Sequence, residues 1–122
     1  MNNVSVKAIS TFKPEFSDAD NAKFCFEYEI TITNKTRNKV KILSRHWSIY
    51  NSFGEIKKVD GEGVVGLKPE INPGEEFKYK SFCPLNTNFG SMKGFYTLKD
   101  VDGNLFKIKI PEFPLILPGE IN

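Results

Sequence analysis

The sequence Phe-Cys-Phe-Glu-Tyr-Glu-Ile-Thr-Ile, residues 24–32, has the most regular alternation of side chains in this chain. Its aromatic and aliphatic residues fall at even positions, whereas Cys25, two glutamates and a threonine fall at odd positions. Successive side chains of a β-strand point to opposite faces of a sheet. The stretch therefore predicts a strand with one buried face and one solvated face.

Weaker alternation predicts further strands on both sides of this stretch. The apolar positions that define them are Val4, Val6, Ala8, Phe77, Tyr79, Met92, Tyr96, Leu98, Phe106, Ile108 and Ile110. Turn sequences separate these strands: residues 34–38, residues 51–54 and Asp102-Gly103, the last of which predicts a two-residue hairpin. The polar segment 13–22, which contains Pro14, is predicted to be a surface loop.

Proline spacing and the missing helical period both favour an all-β fold. Seven prolines interrupt every segment long enough for a helix, and no segment has apolar residues at helical spacing. Short strands separated by regular turns predict a sandwich or barrel, and a chain of 122 residues fits a single domain spanning residues 1–122. The tail after Pro111 is predicted to lie extended, with Phe113 and Leu115 docked on the body.

Composition argues against several classes of protein. A hydrophobic content of 39% with eleven Phe indicates a folded chain, and a net charge of +2 provides no global attraction to nucleic acid or anionic membrane. No apolar stretch approaches the roughly 20 residues of a membrane span, and the polar N-terminus lacks a secretory signal. We therefore expect a cytoplasmic protein without membrane partners, in which Cys25 and Cys83 are free thiols.

Residues 61–66, Gly61-Glu62-Gly63-Val64-Val65-Gly66, spell the G-x-G-x-x-G dinucleotide-binding pattern. We call this segment the glycine loop. A dinucleotide site needs a helix that begins within the motif, but Lys68-Pro69 and Asn72-Pro73-Gly74 follow almost at once and prevent one. The main interpretation is a turn between strands whose glycines adopt unusual backbone angles. A nest of backbone N–H groups that holds a phosphate or carboxylate is the alternative.

The segment Ser44-Arg45-His46-Trp47 lies in a strand predicted over residues 40–50. Alternation gives this strand two faces: Leu43, Arg45, Trp47 and Ile49 on one, and Ile42, Ser44, His46, Ser48 and Tyr50 on the other. Arg45 is expected to cover the indole with its stem and to pair with a carboxylate, for which Glu62 is a candidate. The functional alternative is a receptor for an anion or a carboxylate.

The pattern of nucleophiles and bases favours a non-enzymatic protein. His46 is the single histidine, so it cannot build a histidine-rich metal site, and neither Cys25 nor Cys83 lies in a nucleophile motif. A local basic run could suggest nucleic acid, but no aromatic residue interleaves it, so a solvated hairpin tip or guarded strand edge is expected instead. Its members are Lys35, Arg37, Lys39 and Lys41.

Five motifs, in order along nearly the whole chain, resemble the ApaG family. They are Leu43-Ser44-Arg45-His46-Trp47, the glycine loop, Asn72-Pro73-Gly74-Glu75, Cys83-Pro84-Leu85 and Gly90-Ser91-Met92-Lys93-Gly94. The resemblance implies an immunoglobulin or fibronectin type III-like β-sandwich of about seven or more antiparallel strands. It also implies an association with cobalt and magnesium resistance or efflux, use as a protein-binding module, and a suggested pyrophosphate-binding role for the glycine loop.

Together these observations predict a non-enzymatic protein-interaction or ligand-binding module that needs no cofactor and no metal. Its expected recognition residues are Arg45, His46, Trp47, Gly61, Glu62, Gly63 and Gly66. The alternative is a small-anion domain that binds pyrophosphate or nucleotide through the glycine loop. The expected partner is an unidentified protein, nucleic acid is not expected, and exposed strand edges would permit a homodimer.

Overall fold

The computed structural model describes residues 3–118, which form eight β-strands and two short 3-10 helices. The strands are β1 (Val4–Phe12), β2 (Phe24–Asn34), β3 (Val40–Asn51), β4 (Ile56–Glu62), β5 (Glu70–Ile71), β6 (Glu76–Leu85), β7 (Phe89–Lys99) and β8 (Leu105–Ile116). The 3-10 helices, Pro14–Phe16 and Ala19–Asn21, lie in the loop between β1 and β2. The predicted all-β fold and the predicted surface loop are both confirmed.

Two antiparallel sheets face each other across the core. One has the order β1-β2-β6, and the other has the order β4-β3-β7-β8, with β5 paired to the start of β3. This arrangement confirms the predicted β-sandwich, while the finer likeness to fibronectin type III domains stays a prediction. On one side β1 packs against β8, where the Ser10 hydroxyl donates to the Pro114 carbonyl at 2.5 Å. On the other side β4 and β6 are sheet edges, and a cleft opens between them.

The predicted core face of β2 is buried, but its other face is not uniformly solvated. Phe26, Ile30 and Ile32 are completely buried. Cys25 was expected on the solvated face and is only 7% exposed, because the preceding loop folds over it and the Ser17 hydroxyl accepts its N–H at 2.8 Å. Cys83 pairs with Phe26 and so faces the core, which puts the two free thiols on opposite faces of the sheet.

Two local predictions were wrong, one about the alternation of β3 and one about the length of the β7–β8 turn. A bulge between Ile42 and Ser44 shifts the alternation of β3 by one position, so Ile42 and Trp47 are both buried and do not lie on opposite faces. The β7–β8 connection is a five-residue turn, residues 100–104, and not a two-residue hairpin. There the Asp100 carboxylate accepts the N–H groups of residues 102 and 104, which stabilises the longer turn.

The C-terminal segment is docked as predicted. Strand β8 continues through Pro111, and Phe113 and Leu115 are 6% and 0% exposed. Both side chains belong to the hydrophobic core that the two sheets share. Within residues 3–118 there is no helix of the length and apolarity that a membrane span needs.

Candidate functional site: the cleft between β4 and β6

A cleft of about 270 Å³ lies on the open side of the sandwich, between β4 and β6. Its polar lining residues are Tyr28, Arg45, Trp47, Lys57 and Ser81, and its apolar lining includes Ile49, Val59, Phe82 and Met92. A second depression of about 310 Å³ adjoins it and shares Ile49, Lys57 and Pro84. The two depressions together form one groove along the open side, which we call the edge groove.

Trp47 lies in an aromatic cluster at this cleft. Its ring makes edge contacts with Tyr28, Phe113 and Tyr96, with ring centroids 5.4, 5.9 and 6.4 Å apart. The residue is only 3% exposed, and its indole Nε1 has no hydrogen-bond partner in the described part of the chain. A buried donor left in this way destabilises a fold by about 1–3 kcal/mol. Trp47 thus buries a donor that residues 3–118 do not use.

Arg45 is anchored to the backbone beside the glycine loop. Its Nη1 donates to the carbonyl oxygens of Glu62 and Gly63, at 2.8 and 3.1 Å. Its guanidinium lies so close over Gly61 that a Cβ on this glycine would stand 2.5 Å from Cζ. A side chain at position 61 would therefore have to displace the Arg45 guanidinium.

The predicted ion pair between Arg45 and the Glu62 carboxylate was wrong. Arg45 pairs with Gly61 across the two strands, whereas Glu62 pairs with Ser44, so the Arg45 and Glu62 side chains point to opposite faces of the sheet. Of Glu62, only the backbone carbonyl oxygen lies within hydrogen-bond distance of the guanidinium. The Glu62 carboxylate lies 3.4 Å from the Lys68 Nζ instead.

The glycine loop forms a tight turn, in line with its main interpretation. Val64 and Leu67 exchange both backbone hydrogen bonds, at 2.8 and 2.9 Å. Val65 and Gly66 between them both have positive φ, 43° and 79°, which is the pattern of a type I′ hairpin. Gly63 has a φ of 62°, and its N–H donates to the Leu43 carbonyl at 2.7 Å. The backbone thus engages the N–H groups of Gly63 and Val64.

His46 lies on the outer face of the same sheet, away from the cleft. Its Nδ1 is 2.8 Å from an Asp60 carboxylate oxygen, its Nε2 is 3.1 Å from the Ser44 hydroxyl, and its ring stacks on Phe95. The order of Ser44, His46 and Asp60 is that of a hydrolytic triad. The array lies on the outer face of the sheet, beside a depression of about 260 Å³ that His46 and Asp60 help to line. It is therefore separate from the cleft, which is lined by the opposite face of β3.

The Cys83 thiol and the Tyr28 hydroxyl at the cleft are protonated at neutral pH. Burial raises the pKa of the Cys83 thiol to about 11, although the nearby Lys57 acts in the opposite direction. Burial also raises the pKa of Tyr28, against the effects of Ser81 and Arg45. A protonated thiol is a poor nucleophile. The cleft consequently offers neutral hydroxyls and cationic side chains but no activated nucleophile.

The structure brings only part of the predicted site together. Arg45 and Trp47 both line the cleft, and Arg45 links it to the backbone of the glycine loop at Gly61, Glu62 and Gly63. Gly66 is at the tip of the turn, and His46 is on the other face.

Sequence reasoning missed Tyr28, Lys57 and Ser81. A tyrosine within the apolar face of β2 was a weak signal for the first. Nothing in the sequence marks the other two, because they reach the cleft only through strand pairing.

All the polar residues of the cleft lie within the part of the chain that a protein family model matches. The model of the ApaG domain matches residues 14–100. The chain belongs to the ApaG family. The resemblance inferred from the five motifs is thereby confirmed.

Similar proteins support the same assignment over nearly the full chain. Protein ApaG of Anaeromyxobacter dehalogenans (strain 2CP-C) is 42% identical over 119 residues, which cover 98% of this chain and 94% of that protein. Protein ApaG of Enterobacter sp. (strain 638) is 44% identical over 119 residues, which cover 98% and 95%. A crystal structure of the ApaA protein from Bordetella pertussis has a TM-score of 0.92 at 37% identity, with 96% of this chain and 95% of that chain covered.

Proposed function

We propose that this ApaG-family chain is a non-enzymatic module that holds an extended segment of a partner protein in the edge groove. The observation that carries the proposal is the continuity of the two depressions, about 270 and 310 Å³ in volume, along the open side of the sandwich. Both depressions are bordered by β4 on one side and by β6 on the other. Two adjoining depressions along the strand edges suit an extended segment better than a compact small molecule.

The groove borders support recognition of a strand. Both β4 and β6 are sheet edges, so each has backbone groups that an added strand can pair with, while the groove accepts alternate side chains. The same edges carry residues that discourage pairing between copies of one chain. These residues are Lys57 and Lys58 on β4, and Lys78, Lys80 and Pro84 on β6. A hetero-partner is therefore favoured over a homodimer at this edge.

The non-enzymatic part of the proposal is supported by the nucleophile candidates. Cys83 has a raised pKa at the cleft, and Ser44 and His46 lie on the outer face of the sheet, away from the cleft. Residues 3–118 contain no group of three or more His, Cys, Asp and Glu side chains arranged to hold a metal ion. The link to cobalt and magnesium resistance is accordingly proposed to run through the partner.

On the basis of the sequence, we also propose that residues 1–122 act as one domain, in the cytoplasm.

Binding of pyrophosphate or nucleotide at the glycine loop is the less favoured function. Two of the loop's N–H groups are engaged, and the Glu62 carboxylate lies beside Lys68.

A random peptide library displayed on phage tests the proposal. Selected peptides are expected to bind the Lys57→Glu variant about tenfold more weakly than the unaltered protein, because Lys57 is exposed, lines both depressions and faces the groove. Lys58→Glu is the matched control, since Lys58 is the adjacent residue of β4 and its side chain points to the outer face. Equal affinities for both variants, or failure to select any peptide, would contradict the proposed function.

A further inference from the structure

At the cleft end of the edge groove, side-chain hydrogen-bond donors face no aspartate or glutamate that could accept from them. Within residues 3–118, the Nε and Nη2 of Arg45 and the Lys57 Nζ have no hydrogen bond and no salt bridge. No aspartate or glutamate of the described chain lines the 270 Å³ cleft. The site is therefore positively charged and lacks a protein acceptor for these groups.

The alternation of side chains along β4 explains why its cleft-facing lysine lies apart from its two acids. Lys57, Val59 and Gly61 pair with cleft-facing residues of β3, so their side of the strand faces the cleft. Lys58, Asp60 and Glu62 point to the outer face, where Asp60 pairs with His46 and Glu62 with Lys68. Both acids of β4 are thus on the face that the cleft does not reach.

The Arg45 donors that make no hydrogen bond within residues 3–118 lie along one edge of the guanidinium. Its Nη1 is engaged by two backbone carbonyls, which holds the group in place and leaves Nε and Nη2. Two parallel N–H donors on one edge match the two oxygens of a carboxylate. The remaining wall is apolar, with Ile49, Val59 and Met92. A carboxylate joined to an apolar group complements both parts of the cleft.

We propose that the cleft binds a carboxylate of the partner segment, with Arg45 as the bidentate donor and Lys57 as an added charge. This inference rests on the proposed function, because the carboxylate belongs to the segment held in the edge groove. It assigns a ligand for the guanidinium edge of Arg45 that residues 3–118 leave without a partner.

The single tryptophan of the chain provides a direct test. Protein with ¹⁵N-labelled tryptophan gives one indole N–H signal, and this signal is titrated with hexanoate and with the neutral hexanamide. The expected result is a saturable shift with hexanoate only, because Trp47 lines the cleft and its signal reports a ligand bound there. An equal shift with hexanamide, an equal shift with inorganic phosphate, or no shift with hexanoate would overturn the proposal.

Two neighbouring lysines separate a local contact from a general effect of charge. Lys57→Gln is expected to weaken hexanoate binding about threefold, the range of a partly exposed ion pair. Lys58→Gln removes the same charge from the adjacent residue, which faces away from the cleft, and is expected to leave binding unchanged. Equal losses in the two variants would overturn the assignment of Lys57.

Selected peptides identify the source of the carboxylate and separate this inference from the proposed function. Each peptide is compared with its C-terminal amide and with versions in which each Asp or Glu is replaced by its amide. Loss of at least tenfold in affinity on removing one carboxylate is the expected result. Groove binding that survives every removal would overturn the carboxylate and leave the proposed function intact. Hexanoate binding without any peptide binding would instead overturn the protein segment as its source.

Discussion

Gly63 and Gly66 share a positive φ but differ in what surrounds them. A Cβ on Gly63 would lie 2.1 Å from the Leu67 carbonyl oxygen, whereas no atom lies within 4 Å of the corresponding position on Gly66. Gly66→Ala is expected to lower the free energy of unfolding by about 1 kcal/mol, the penalty for an alanine at positive φ. Gly63→Ala is expected to lower it by about 3 kcal/mol, because backbone must also move. Urea unfolding of both variants tests this difference, and equal losses would contradict it.

Val65 is a β-branched residue at positive φ, with a φ of 43° and half of its surface exposed. Asn followed by Gly is the favoured pair at the centre of a type I′ turn. Val65→Asn is therefore expected to raise the free energy of unfolding by about 1 kcal/mol. Val101→Asn is the control, since Val101 is similarly exposed but has no positive φ. A gain in both variants, or in neither, in the same urea assay would refute the strain at position 65.

At the scale of single residues, the sequence identified the glycine loop but not the task of each member. Gly61 makes room for the Arg45 guanidinium, Gly63 avoids the Leu67 carbonyl, and Gly66 completes the turn. The G-x-G-x-x-G sequence pattern is shared with a phosphate-binding loop. The role of each glycine here follows from contacts with β3 and with the residues that close the turn.

Asn34, at the end of β2, joins two elements through its side chain. It is fully buried, its amide donates to the carbonyls of Asn38 and Ile71 at 2.9 Å, and its oxygen accepts the N–H and hydroxyl of Thr36. Asn34→Ala is expected to lower the free energy of unfolding by about 3 kcal/mol, because the buried hydrogen bond to the Ile71 carbonyl and the bonds to Thr36 are lost.

Hydrogen exchange gives a second measurement for this variant. The amides around Ile71 are expected to exchange faster when the Asn34 bond to β5 is removed. Asn86→Ala is the control, since Asn86 accepts one exposed hydrogen bond, and a change below about 1 kcal/mol is expected there. A similar loss of stability in the two variants would argue against a linking role for Asn34.

At the scale of elements, alternation located most strands but not their irregularities. The bulge in β3 arises from how β3 pairs with β7, so the sequence of β3 alone gave no sign that Ile42 and Trp47 share a face. The five-residue turn at residues 100–104 likewise depends on the Asp100 side chain accepting two N–H groups. Both features are small in sequence but decide which side chains reach the core.

The molecule as a whole contains several buried groups that resist ionisation. Tyr79 and Tyr96 share a buried hydrogen bond between their hydroxyls, and burial raises the pKa of both. Burial raises the pKa of Cys83 from 9.0 to about 11. A raised pKa in the folded state contributes stability that is complete below the unfolded pKa and is lost as pH rises through the folded pKa.

We therefore expect the ionisation of Cys83 alone to lower the free energy of unfolding by about 2 kcal/mol between pH 8.5 and pH 11, and the buried tyrosines to add to this fall above pH 10. Urea unfolding at half-unit steps of pH measures this fall. Cys83→Ala is expected to have a smaller fall, since the variant has no thiol to ionise at the cleft. Stability that stays constant up to pH 11, or an unchanged pH dependence in the variant, would show that these groups ionise without resistance from the fold.

The sequence by itself determined the all-β fold, the place of most strands, the docking of Phe113 and Leu115 and the membership of the ApaG family. These features are local, because alternation, proline and turn residues act on neighbouring positions. Only the tertiary structure decided that β4 and β6 are open edges, that Arg45 meets the Glu62 carbonyl and not its carboxylate, and that Lys57 and Ser81 line a cleft with Trp47. The physical reason is strand pairing: the register between residues far apart in the chain sets which side chains share a face, and no short-range pattern encodes it.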